Sequence, residues 1–208
     1  VTLEAEANTC MEDLYTGGGS PNCNARDVKV RNVRVTAVDG VPVASGETPE
    51  CREGDILPVD FVIDLQSKAK QRYNVGVYWE YGGADARHGT CALTYFPSDG
   101  KLFDLNEDPC GDIKPDETVN VDICDFEIVC TDPTGSDTST EATVKVGSCI
   151  VYQQGATETC TSPDPVKTDF PPSATSKCTC EALDFGIRIK RCGFAPPTCL
   201  LEPQTVYG

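Results

Sequence analysis

From residue 59 to residue 91 the chain alternates apolar and polar side chains twice over. Val59, Phe61, Ile63 and Leu65 interleave with Asp60, Val62 and Asp64, and Tyr73, Val75, Val77, Trp79 and Tyr81 interleave with smaller or polar residues. Side chains on an extended chain point to opposite faces in turn, so a period of two predicts two strands, each with one face for a core and one for water. The polar connection Ser67-Lys68-Ala69-Lys70-Gln71-Arg72 predicts an antiparallel pair rather than a crossover helix. The single Trp and three of the seven Tyr fall in this stretch, which makes it the expected centre of the fold.

The same reading extends along the chain. In residues 23–38, Val28, Val30, Val33, Val35 and Val38 slip from a spacing of two to three, which predicts a β-bulge at Arg31 or Asn32. Residues 39–55 read as a long connection, with Cys51 to staple it. Residues 91–96 form a short strand before the turn Pro97-Ser98-Asp99-Gly100. Residues 119–130 and 142–154 look like a further antiparallel pair, and Leu183, Phe185, Ile187 and Ile189 line one face of a late strand. Residues 131–141 and 161–177, rich in Ser, Thr, Asp and Pro, read as exposed loops. At the start, Val1, Leu3, Ala5 and Ala7 alternate with Thr2, Glu4 and Glu6 ahead of a Gly-rich stretch, predicting an extended arm on a hinge.

These elements define an all-β chain. The expected fold is a disulfide-rich antiparallel β-sandwich, Ig-like or jelly-roll-like, with an extended N-terminal arm. Residues 1–21 are assigned to arm and hinge, 22–190 to the sandwich, and 191–208 to a C-terminal tail.

Thirteen cysteines change the picture most: Cys10, Cys23, Cys51, Cys91, Cys110, Cys124, Cys130, Cys149, Cys160, Cys178, Cys180, Cys192 and Cys199. They are spread along the chain rather than set in paired CxxC knuckles with histidines, which points to disulfides and an oxidising compartment rather than zinc. Each bridge that closes a loop of tens of residues contributes about 3–4 kcal/mol by restricting the unfolded chain. Cys178 and Cys180 are too close in sequence to bridge each other comfortably, so they are expected to hold different partners. The odd count leaves one thiol that is free, intermolecular, or paired with a segment beyond this chain.

A formal charge of -16 with one His argues against nucleic acid and anionic membrane surfaces as partners. No apolar run reaches the ~18 residues of a membrane span. The N-terminus lacks the basic and apolar regions of a signal peptide, so a mature, secreted chain at the cell surface or beyond it is expected.

Candidate chemistry is sparse. Asp104, Asn106, Asp108 and Asp112 place side-chain oxygens at alternate positions of one turn, the kind of donor set that calcium takes. Pro109 stands where an EF-hand loop needs Gly. Thr134, Ser136, Thr138, Ser139, Thr140, Ser173 and Thr175 are candidate O-glycan sites, and the chain holds no Asn-x-Ser/Thr sequon. His88, beside Asp85 and Arg87, lacks a nucleophile arrangement or a second His, so catalysis is not expected. Asp60 and Asp64, which a glycosidase reading would pair, read more simply as a solvated strand face.

Several motifs follow one another along the chain: Cys23-Asn24-Ala25-Arg26-Asp27-Val28, Gly82-Gly83-Ala84-Asp85-Ala86, Gly89-Thr90-Cys91, Cys110-Gly111-Asp112-Ile113 and Ser176-Lys177-Cys178-Thr179-Cys180. Together they resemble a family of cysteine-rich repeat domains in large secreted or cell-surface bacterial proteins, over residues 22–190. The resemblance implies an extracellular β-sandwich used as a building block, with no catalytic residues to carry over. Cys10, Cys192 and Cys199 lie outside the matching region, and residues 103–110 are compact here. The expected function is a structural subunit that binds copies of itself through Val1, Leu3, Ala5 and Ala7. The alternative is an adhesion module for glycans or a cell surface, with Tyr73, Tyr78, Trp79 and Tyr81 as a stacking platform.

Overall fold

The computed structural model describes residues 10–14, 22–68, 70–80, 82, 85–89, 91–95, 102–135, 142–156, 160 and 176–190. One helical turn, α1 (Met11–Leu14), precedes nine strands: β1 (Val28–Val38), β2 (Val41–Pro42), β3 (Glu50–Arg52), β4 (Ile56–Ser67), β5 (Tyr73–Glu80), β6 (Cys91–Tyr95), β7 (Thr118–Val129), β8 (Thr143–Gln153) and β9 (Ser176–Lys190). They form a four-stranded sheet of order β2-β1-β4-β7 and a five-stranded sheet of order β3-β9-β8-β5-β6. Every pairing is antiparallel except β3 with β9, which is parallel. The all-β sandwich expected from the alternation is the fold observed.

The core lies between the sheets. Val59, Phe61, Ile63 and Leu65 of β4 face Val75, Val77 and Trp79 of β5, with Val121, Ile123 and Phe126 of β7 and Leu183, Phe185 and Ile187 of β9 completing the layer. Residue by residue, the alternation named the inward side chains of β4 and β9 correctly.

Two predicted pairings are corrected. β4 and β5 are not a hairpin: β4 pairs with β1 and β7, whereas β5 pairs with β6 and β8 in the opposite sheet. The short connection between them turns a corner from one sheet to the other. It is pinned where Arg72 donates to Asp27 Oδ2 at 2.6 Å and where Arg72 and Ile113 exchange backbone hydrogen bonds at 3.0 and 2.9 Å. Likewise β7 pairs with β4 and β8 pairs with β5 and β9, so the second expected pair is also divided between sheets. Periodicity states which face of a strand is apolar, and two facing sheets satisfy that face as well as two neighbouring strands do.

The bulge is where the valine spacing puts it, in a register shift between Val30 and Asn32, and a second follows between Val35 and Ala37. Residues 39–55 contain β2 and β3 rather than connection alone. The loop expected over residues 161–177 ends two residues early, because Ser176 and Lys177 already belong to β9.

A further correction concerns β5. All eight of its residues are buried, so neither face meets water. The inner side packs in the main core. The outer side is covered by a second cluster, made of Cys10, Met11, Tyr78, Ala86, Cys91, Cys149, Val151 and Cys178.

Candidate functional site

The second cluster is where the N-terminal segment is fastened. Cys10 is bonded to Cys91, the first residue of β6, and Met11 is fully buried beside it. Met11 N donates to Ala86 O at 3.3 Å and Glu12 N to Arg87 O at 2.9 Å, so the segment lies along residues 85–89. Full burial of a Met side chain contributes about 1.5–3 kcal/mol, and the disulfide restricts the chain further. Cys10 and Met11, which the sequence divided off with arm and hinge, therefore belong to the sandwich. The arm residues Val1, Leu3, Ala5 and Ala7 lie outside the described residues.

Gly89 lets this loop approach the sheet. Its φ is +115°, and a Cβ there would stand 2.7 Å from Glu80 Oε1. Glu80 is buried, and its other oxygen accepts from Gly82 N at 3.0 Å, so the carboxylate has little room to yield.

Five disulfides are formed among the described residues: Cys10–Cys91, Cys23–Cys178, Cys51–Cys130, Cys110–Cys160 and Cys149–Cys180. Cys178 and Cys180 hold different partners, as their spacing required. Cys149 and Cys180 stand directly opposite each other in the β8–β9 register. Cys23–Cys178 and Cys51–Cys130 join the two sheets at opposite ends of the sandwich, one beside the start of β1 and the other at the end of β7. Among the described residues, half-buried Cys124 on β7 is the one cysteine outside a disulfide. Cys192 and Cys199 lie outside the described residues.

The acidic turn is brought together, but as a capping structure. Fully buried Asp112 accepts from Asn74 N at 2.9 Å and Leu105 N at 2.7 Å. Asp108 accepts from Cys110 N and Cys160 N, both at 2.9 Å, and from Asn106 Nδ2 at 2.7 Å. Asp104 accepts from Glu107 N at 2.7 Å and Asp108 N at 3.2 Å. Burial pushes the Asp112 carboxyl up to about 6 against its two backbone hydrogen bonds, and the charges of Asp108 and Asp104 push the same way.

Calcium takes six to eight convergent oxygens. Among the described residues no three carboxylates bring oxygens within 4.8 Å of one another, and the two clusters that do converge consist mainly of disulfide sulfurs, which are not available as thiolate ligands. The four residues thus share one loop whose oxygens are turned to backbone N–H groups. Asn106 Oδ1, buried without a hydrogen-bond partner, is the exception.

Sequence reading missed Asn74 and Gln153. The alternation puts Asn74, between Tyr73 and Val75, on the outward side of the strand, yet it is buried at φ +52°, a left-handed conformation that Asn tolerates, and its Nδ2 reaches Gln153 Oε1 at 3.4 Å. The signal available was weak: an Asn in the middle of an aromatic and β-branched strand.

The remaining candidates are placed as follows. Tyr73, Tyr78 and Trp79 are buried, so they offer no stacking platform, and Tyr81 lies outside the described residues. Asp60 and Asp64 are partly exposed on the outer face, accepting from Asp125 N and Asn120 Nδ2, as a solvated strand face should. His88 is exposed, next to an Arg87–Asp85 ion pair that holds the Asp85 carboxyl below its ordinary range. Thr134 is exposed, and its hydroxyl donates to Asp132. Ser136, Thr138, Ser139, Thr140, Ser173 and Thr175 lie outside the described residues.

No family model, curated protein or solved structure matches the chain. No helix among the described residues is long and apolar enough to cross a membrane.

Proposed function

We propose that this chain is a structural subunit of an extracellular fibril or surface layer, which polymerises head to tail through its terminal arm. The observation that carries this reading is the anchor at Cys10. The residue next to the arm is covalently tied to β6, the edge strand of the five-stranded sheet, and is held again by buried Met11. An alternating segment that leaves from a rigid point beside a sheet edge suits addition to the sheet of a neighbouring copy. Main-chain hydrogen bonds then give continuity while Val1, Leu3 and Ala5 enter between the neighbour's sheets. Such a contact is heterologous, so it propagates without closing.

The disulfides support an oxidising, extracellular setting. The reading assigns the chain no catalysis, and it takes the Ser- and Thr-rich loops as sites for O-linked sugar. The subunit is then a member of the cysteine-rich building blocks that its motifs resemble.

Deleting residues 1–7 tests the mechanism. The truncated chain is expected to melt within a few degrees of the full chain and to remain monomeric in sedimentation, under conditions where the full chain forms filaments visible by electron microscopy. Truncated protein that unfolds would place the arm within its own domain instead. Intact mass above 22.3 kDa in native material tests the glycan.

A further inference from the structure

The outer face of the four-stranded sheet is polarised along its strands. At the end where Val28 pairs with Ser67, Arg26, Lys29, Arg31, Lys68 and Lys70 collect, all at least partly exposed. Lys29 lies opposite Gln66, Arg31 Nε donates to Gln66 Oε1 at 2.6 Å, and Lys68 N donates to Asp27 O at 2.8 Å, which brings the group to one corner. Of the acids within it, Asp27 is taken by Arg72, and Asp64, opposite Asn32, accepts from Asn120 Nδ2. Asp116, Glu117 and the acidic turn flank the patch on its β7 and β5 sides.

At the other end, where Pro58 pairs with Glu127, the exposed acids Asp39, Asp55, Asp125 and Glu127 gather with partly exposed Asp60. Asp39 N donates to Pro58 O at 2.9 Å, and Asp125 N to Asp60 Oδ1 at 2.8 Å. Of the cations there among the described residues, Arg188 and Lys190 are engaged by Glu50, and Arg52 is the remaining one. Along β4, Gln66 at the basic corner and Asp60 at the acidic end are six residues apart, about 20 Å. That is more than twice the Debye length of about 8 Å at physiological salt, so each end presents its own sign to an approaching molecule.

A basic corner on a chain of formal charge -16 has a ready complement in a second copy of the same chain. The anchor at Cys10 lies towards the acidic end, since Cys91 pairs with Glu80 at the end of β5 remote from Lys70.

We propose that successive copies meet along the strand axis, with the basic corner of Arg26, Lys29, Arg31, Lys68 and Lys70 docked on the acidic end of the next copy. This rests on the polymer reading and names the surface that makes the contact. The pairing is electrostatic and heterologous, so it sets direction and register while the arm supplies permanence.

Two charge variants of the full chain test it. K29E/R31E/K68E makes both ends acidic, and D125N/E127K weakens the acidic end, with Asn retaining the left-handed backbone at residue 125 (φ +53°). Both are first shown by melting and circular dichroism to be folded. Each alone is expected to need at least about tenfold more protein than wild type to sediment as filaments at 0.01 M salt, and an equimolar mixture is expected to form heterodimers that stop there, since the intact end of each variant is then used. Wild-type assembly is expected to weaken towards 1 M salt, where the Debye length falls from about 30 Å to about 3 Å.

Filaments from both variants at the wild-type concentration would overturn the end-to-end contact and leave the polymer reading standing. Wild type that stays monomeric at every salt concentration overturns both. Variants that assemble normally while K29E/R31E/K68E alone loses retention on a heparin column would reassign the basic corner to an anionic glycan.

Discussion

Phe61 of β4 and Trp79 of β5 meet edge to face across the sandwich, with ring centroids 5.6 Å apart and planes at 83°. Phe61 also meets Phe126 at 5.8 Å and Phe185 at 4.8 Å, so one ring from the four-stranded sheet is shared by aromatics from three other strands. This contact is the reason β4 and β5 can be consecutive in sequence, apolar in period and yet unpaired.

Phe61→Ala is expected to destabilise the fold by about 3–5 kcal/mol, because the cavity lies at the junction of four strands and its walls are pinned by neighbours. Denaturant titration read by fluorescence measures it. Trp79 is the only Trp and is fully buried, so native emission is expected to be blue-shifted and poorly quenched by acrylamide. A loss below 1 kcal/mol would mean that the ring does not bridge the sheets.

Asp112 makes stability depend on pH in a predictable direction. Its carboxyl titrates at about 6 in the fold against an ordinary value of 3.8. Between those values the folded chain holds a proton that the unfolded chain has released, so this residue's contribution is complete below about pH 4, falls as pH rises to about 6, and is level above. Asp112→Asn is expected to flatten that slope, while costing about 1–3 kcal/mol because its amide cannot accept from both Asn74 N and Leu105 N. Urea melts from pH 4 to pH 7 on both proteins read the difference.

The disulfide at the foot of the arm is expected to be separable from the fold. Replacing Cys10 and Cys91 together by Ser should cost about 2–5 kcal/mol and leave the main core intact, since that core lies on the other side of β5. Filament formation, followed by sedimentation, should be lost with it. A double variant that still polymerises like wild type would detach the anchor from assembly.

Cys124 is expected to be the described cysteine that reacts with a maleimide in native protein, located by peptide mapping without reduction. Cys124→Ser should change stability by less than about 1 kcal/mol, since the site is half-buried and its sulfur bonds no other. Recovery of a bridged peptide at Cys124 instead would show a disulfide to a second chain.

Calcium or a chelator is expected to leave the melting temperature unchanged. The oxygens of Asp104, Asp108 and Asp112 are turned to backbone N–H groups, and a ligand that does not bind the native state cannot stabilise it. A rise on adding calcium would show that the loop rearranges to make Asn106 Oδ1 and the carboxylates converge.

What the residues determine by themselves is local: extended conformation with one apolar face wherever Val, Ile, Phe and Tyr alternate with polar side chains, a bulge where the valine spacing slips at Arg31 or Asn32, and separate partners for Cys178 and Cys180. Those properties follow from pleat geometry and from the reach of a side chain, both short-ranged. Tertiary structure alone decided that β4 and β5 lie in opposite sheets, that Cys10 and Met11 close over the outside of β5, that Asn74 turns inward to Asp112, and which cysteines bridge. An apolar face requires only to be covered, and many neighbours can cover it equally well. The choice among them is made by contacts between residues far apart in the chain, such as Phe61 with Trp79 and Arg72 with Asp27, which no window of consecutive residues contains.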